Sequence, residues 1–249
     1  MTATTIGFAE HSLDLANEKW EDVQRYNHAL QALLSRRKDT VKAEGIFFAS
    51  KAAWKCALLQ QSLLYRITML AAGCADAWNA GNLVASVLSA RALLETIALC
   101  EEAVAQISAR ADAGEVDAID DLASRQLFST RDEGRIADQA GFRATNVLTF
   151  IDKLDKKIAG VRESYDFLSE WCHPNGSGHL FTYGEMNRET GEVRFSEACD
   201  RVKGIQAHVV TSFMMILFTE RAMDRFDGLV TRVAELDPGV GSWVLAQRR

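Results

Sequence analysis

No proline occurs before position 174, and only one more follows it, at 238. Proline breaks helix interiors and decorates turns. A chain that omits it over its first 173 residues is suited to long helices joined by short loops. An all-β sandwich or barrel, with its many turns, is disfavoured. The expected fold class is all-α: an up-and-down bundle of about five long helices. It is read as a single domain over residues 1–249, with the tail from 237 extended.

Apolar spacing places the helices. Leu13, Ala16, Trp20, Val23, Asn27, Leu30 and Leu34 recur every three or four residues, which predicts a first helix over 11–37. A second is expected over 46–79. Gly81-Asn82 breaks it, and Asn82 caps a third over 83–111, ending near Gly114. Residues 117–127 and 135–143 read as short helices. A fourth long helix is expected over 146–172, because Val147, Ile151, Leu154, Ile158, Val161, Tyr165, Leu168 and Cys172 alternate spacings of four and three. Beyond Pro174 the texture changes, with glycines at 176, 178, 184 and 191. Leu180–Met186 and Glu192–Phe195 are expected to pair as a hairpin around Arg188-Glu-Thr-Gly. A last helix is expected over 197–235, stopped by Asp237-Pro-Gly. There is no internal repeat or low-complexity tract.

At 48% hydrophobic and 25% charged, the composition is that of a globular protein. The net charge is −6 and the pI about 5.5. A dedicated non-specific duplex binder is usually basic, so bulk charge argues against one and leaves only a local patch. The five cysteines include no CxxC pair and read as reduced, buried thiols. Met1-Thr-Ala-Thr-Thr lacks the layout of a signal peptide. The apolar windows are 83–100, which contains Arg91 and Glu95, and 205–218, which is too short to span a bilayer. The expectation is a cytoplasmic protein with no membrane segment.

Two places carry candidate chemistry. In the third helix, Arg91 and Glu95 are the only charges between Leu83 and Cys100. Arg91 falls on the apolar stripe Val84, Val87, Arg91, Leu94, Ala98. Buried charge must be paired and hydrogen-bonded, and Glu95 is one turn away. The pair reads either as a structural lock or as the floor of an anion-binding pocket. The second place is the end of the fourth helix, where Arg162, Asp166, Ser169 and His173 form a polar stripe. Pro174 stops the helix, since the residue before proline is pushed out of the helical region. His173 at the helix C-terminus is favoured in its protonated form by the helix dipole. Asn175-Gly-Ser-Gly and His179 then form a loop whose polar groups can line a site.

Other chemistries fit less well. Glu170-x-x-His173 has the spacing used by carboxylate-bridged di-iron bundles, but only one copy is present. Glu95, Glu101 and Glu102 would have to supply the remaining carboxylates. Cys172 and His173, as helix neighbours, point about 100° apart. Gly-Ser-Gly lacks a Walker pattern.

Ala90-Arg-Ala-Leu-Leu-Glu-Thr, together with Tyr165-Asp-Phe-Leu-Ser-Glu-Trp-Cys-His-Pro-Asn, resembles a bacterial all-helical family with an R-x-L-x-E helix and a later L-S-x-x-x-H segment. That family is distantly similar to the HEPN superfamily. The resemblance implies a helical bundle, a homodimer, and action on RNA or another phosphate-containing ligand in a toxin or defence setting, with no metal and no cofactor. It departs at one point. HEPN ribonucleases place an arginine and a later histidine in one helix with four to six residues between them, whereas Asp166, Phe167 and Leu168 stand at those positions before His173. Arg162 lies eleven residues back, about 16 Å along a helix. Arg201-x6-His208 fits the spacing, but with 19 arginines and five histidines a coincidental match is expected.

The enzyme reading makes His173 a general acid or base, Arg91 the stabiliser of an anionic transition state and Glu95 its orienter. Ser169, Asn175, His179 and Tyr183 would then bind the ligand. The alternative is a non-catalytic binding or oligomerisation protein in which the same residues fix the bundle. The second alternative is a metal-carboxylate bundle.

Overall fold

The computed structural model describes residues 6–15, 19–138, 140–197 and 202–237. The fold is all-α with one small hairpin. Its helices are α1 (Trp20–Ser35), α2 (Ile46–Ala49), α3 (Lys51–Asn79), α4 (Leu83–Ala113), α5 (Val116–Phe128), α6 (Glu133–Asp138), α7 (Val147–Asp155), α8 (Val161–Cys172), α9 (Leu180–Tyr183), α10 (Val202–Met214) and α11 (Ile216–Leu236). Strands β1 (Gly184–Met186) and β2 (Val193–Phe195) pair antiparallel, Gly184 opposite Phe195.

Helix α4 is the spine. It packs against α3, α5, α7, α8, α10 and α11, and Leu93, Leu94, Ile97, Val104 and Ile107 are fully buried. Asn82 caps its start, its side chain accepting from the Ala85 N–H at 3.1 Å. At its end Gly114 takes φ 71°, and the Glu115 N–H reaches the Arg110 carbonyl at 2.9 Å, a left-handed C-terminal stop. By length and composition α4 is apolar enough to cross a membrane, but half of its most apolar stretch is buried in this fold.

Helix α1 starts at Trp20, not at residue 11. The chain before it is held by amide side chains that compete with helical bonding. Asn27 accepts from the Phe8 N–H at 3.0 Å and donates to the Phe8 carbonyl at 2.9 Å. Asn79 does the same for Ala9 and Gly7. Gly7 has φ 129°, and a Cβ there would meet the Asn27 Oδ1 at 2.1 Å, so only glycine fits. Phe8 is thereby buried against Trp78 and Phe213. Ala16, placed by periodicity on the first helix, lies outside the described residues.

Three other expected helices are interrupted. Ser50 splits 46–79: its backbone is extended, and its hydroxyl accepts from the Ala53 N–H at 3.1 Å while donating to Asp237 at 2.7 Å. The 146–172 segment breaks between α7 and α8. Gly160 adopts φ 93°, and the Asp155 carboxylate accepts from the N–H groups of Gly160 and Arg162. Ile151, Leu154, Val161 and Leu168 stay buried across the break. The last helix is interrupted at Met215, beside Thr219, whose hydroxyl back-bonds to the Met215 carbonyl at 3.3 Å. In the hairpin, Leu180–Tyr183 forms a helical turn and only Gly184–Met186 forms strand. Pro238, Arg201 and Cys199 lie outside the described residues, as does the tail beyond Asp237.

Candidate functional site

Arg91 and Glu95 meet through α8. The Arg91 Nη2 donates to the Tyr165 hydroxyl at 3.1 Å, and that hydroxyl donates to Glu95 Oε1 at 3.0 Å. The direct Arg91–Glu95 separation is 3.4 Å, and both side chains are partly buried. Burial opposes the Arg91 charge, but the hydrogen bond with Tyr165 and the nearby Glu95 outweigh it and hold the guanidinium above its usual pKa. Cys172, one further turn of α8 beyond Ser169, also faces Arg91. Burial pushes its thiol up, and Arg91 opposes that rise. Arg91 Nε and Ser169 Oγ are buried with no hydrogen-bond partner among the described residues.

His173 is not part of this cluster. It ends α8 in extended conformation, is exposed, and makes no hydrogen bond or ion pair to Arg91 or Glu95. The loop behind it bonds largely to itself. Asn175 donates to Glu170 at 2.7 Å and accepts from the Gly178 N–H at 2.9 Å. His179 Nδ1 accepts from the Leu180 N–H at 2.8 Å, and the Phe181 N–H reaches the Gly176 carbonyl at 2.8 Å. A Cβ on Gly178 would meet the His173 carbonyl oxygen at 1.9 Å, so this glycine lets the loop close onto the helix end. Tyr183 is exposed on α9. The loop therefore presents few free N–H groups to an anion.

The metal alternative finds its carboxylates engaged elsewhere. Glu101 binds Arg225 at 2.7 Å and Lys157 at 3.5 Å, and Glu102 binds Lys153. Among the described residues no group of three or more His, Cys, Asp or Glu is placed to hold a metal ion. Cys56, Cys74 and Cys100 are buried free thiols, each pushed up to about 12 by desolvation.

Glu95 also lines a cleft. It has a volume of about 650 Å³ and is lined by residues of α3, α4, α5, α7 and the connector between α5 and α7. Six cationic side chains line it: Arg66, Arg110, Arg125, Arg131, Arg143 and Lys153, against only two carboxylates, Glu95 and Asp121. Three of the six have carboxylate partners. Arg125 binds Asp121 at 2.8 Å, Arg143 binds Glu133 at 3.2 Å and Lys153 binds Glu102. Among the described residues, the other three have no carboxylate partner. Arg66 donates through Nε to Thr96 at 3.1 Å, and Arg110 donates to the carbonyl and side chain of Gln106. Arg131 makes no hydrogen bond or ion pair with a described residue.

Local chemistry explains how these arginines are presented. Arg66 and Arg110 stand on long helices whose opposite faces are core. Arg131 and Arg143 come from a segment folded on itself: the Thr130 N–H bonds the Phe142 carbonyl at 2.8 Å and the Ala144 N–H bonds the Thr130 carbonyl at 2.9 Å. Phe128 and Phe142 meet edge to face at 6.2 Å beneath it. No local motif in the sequence marks this cleft, because its cations come from four helices and a connector.

Comparison of the chain with protein-family models, with curated proteins and with solved structures finds no match.

Proposed function

We propose that this protein binds a phosphate-bearing ligand, RNA or a smaller anion, in the cleft between α3, α4, α5 and α7. One observation carries the reading: an acidic chain gathers six cations around one cavity and, among the described residues, leaves Arg66, Arg110 and Arg131 without carboxylate partners. Clustered like charges repel, and an anion relieves that repulsion. Guanidinium groups suit the task, because each offers a planar fork of N–H donors to phosphate oxygens. The resemblance to HEPN-like proteins points to the same ligand chemistry by an independent route.

Within this reading Glu95 stands at the cavity wall, backed by Tyr165 and Arg91. Its carboxylate is held in place by the Tyr165 hydroxyl, so it can orient a ligand hydroxyl or water beside a bound phosphate. His173, with no link to this network, is given no role in binding.

The test is a titration of the protein with fluorescent RNA and with pyrophosphate at low and at moderate salt. Binding of either that weakens with salt and is lost in Arg110→Gln and Arg131→Gln supports the reading. Absence of binding by both ligands at low salt removes it.

A further inference from the structure

We infer that the ligand of the basic cleft is a compact organic polyphosphate, with two or three phosphoryl groups and a ring-sized apolar part, rather than a nucleic-acid strand. This rests on the cleft being an anion site and names the class of anion.

Size is the first ground. A cavity of about 650 Å³ falls inside the range of roughly 300–1,000 Å³ typical of small-molecule pockets. Charge is the second. Three lining cations, Arg66, Arg110 and Arg131, have no carboxylate partner among the described residues, which suits two or three phosphoryl groups. The chain as a whole carries a net charge of −6. Other arginines are neutralised by carboxylates: Arg36 by Asp224 and Asp227, Arg162 by Asp152 and Asp166, Arg225 by Glu101, and Arg232 by Asp112. A long polyanion leaving the cleft would meet a chain of net negative charge. A compact one stays within the positive zone.

The third ground is the kind of apolar surface present. Strand binders stack successive bases on exposed aromatic rings. The cleft has a single aromatic side chain, Phe150, and it is only 8% exposed. The exposed aromatics Phe48, Phe128, Phe181, Tyr183 and Phe195 do not line the cleft. What the cleft does offer is a patch of Leu99, Leu122, Val147 and Phe150 from α4, α5 and α7. One ring can rest there while its phosphates meet Arg66, Arg110 and Arg131. The side chain of Gln126 lies in the lining and can bond a polar edge of the same ring.

Isothermal titration calorimetry with four probes decides the matter: orthophosphate, tripolyphosphate, adenosine triphosphate and an oligouridylate of about twelve nucleotides. The expected order is adenosine triphosphate tightest, at one site per chain, tripolyphosphate about tenfold weaker, and orthophosphate weaker again. Arg110→Gln and Arg131→Gln should each weaken adenosine triphosphate by about tenfold or more. Leu99→Gln should remove the advantage of adenosine triphosphate over tripolyphosphate while leaving tripolyphosphate binding intact. Oligouridylate binding more tightly than adenosine triphosphate, and in an arginine-dependent way, overturns the inference but leaves the anion site standing. Equal affinity for tripolyphosphate and adenosine triphosphate also overturns it, by removing the apolar part. No binding of any probe, or binding untouched by the two arginine variants, overturns the inference and the anion site together.

Discussion

The loop that follows His173 and the cleft beside Glu95 both interrupt a helical bundle, yet they treat their polar groups in opposite ways. In the loop, Asn175, His179 and the N–H groups of Gly178, Leu180 and Phe181 bond one another, and Gly178 allows the chain to close on the α8 carbonyls. In the cleft, three lining arginines have no carboxylate partner among the described residues. Internal satisfaction is the mark of a structural element, and unpaired charge around a concave surface is the mark of a binding one. Glycine richness and a helix stop draw attention to the loop, but the electrostatics favour the cleft.

That contrast can be broken by mutation. The largest effect is expected in the loop. Gly178→Ala places a Cβ within 1.9 Å of the His173 carbonyl oxygen and should destabilise the fold by about 1–3 kcal/mol, seen as a lower denaturation midpoint. Stability unchanged by Gly178→Ala would show that the loop is not held as described. Next comes Tyr165→Phe, which takes the bridging hydroxyl from both Arg91 and Glu95. It should cost about 1–3 kcal/mol in chemical denaturation, because two partly buried charges lose a partner.

A smaller effect follows from pH. His208 stacks on Phe167 at 3.9 Å, and its Nδ1 lies 3.2 Å from the Ser164 hydroxyl. Burial lowers its pKa and the nearby Glu163 raises it less, so the folded state favours the neutral ring. The unfolded chain binds the proton more readily. Stability from this group is therefore present above an unfolded pKa of about 6.5 and is lost as pH falls through the lower folded value. Melting temperature should fall over that acid window, and His208→Gln should flatten the change. Smallest of all, Arg131→Gln should alter stability by less than about 0.5 kcal/mol, since Arg131 has no partner among the described residues. A marked loss of stability there would mean that Arg131 supports the fold and not a ligand.

Much of the architecture was legible because it follows from spacing. The Asn82 cap, the whole of α4 and the stop at Gly114 are visible as a cap residue, an apolar run and a glycine. The breaks at Ser50 and Gly160 were not visible to periodicity, because the apolar phase continues across both. Gly160 was the available signal, and Asp155, whose side chain bonds its N–H, is an ordinary helical residue in sequence. The Arg91–Glu95 pair was legible as buried charge in an apolar helix. Its partner Tyr165 lay on the apolar stripe of the fourth helix and looked like core. The cleft was hidden for a different reason: its cations are scattered from Arg66 to Lys153, each unremarkable alone, and a net charge of −6 masks their sum.

The central claim is that arginines without carboxylate partners among the described residues make the cleft an anion site. The most direct measurement is thermal melting of the wild type and of the Arg66→Gln, Arg110→Gln, Arg131→Gln triple variant, with and without tripolyphosphate at constant ionic strength. The unliganded variant should stay folded, and tripolyphosphate should raise the melting temperature of the wild type alone. An equal rise in both proteins would contradict it.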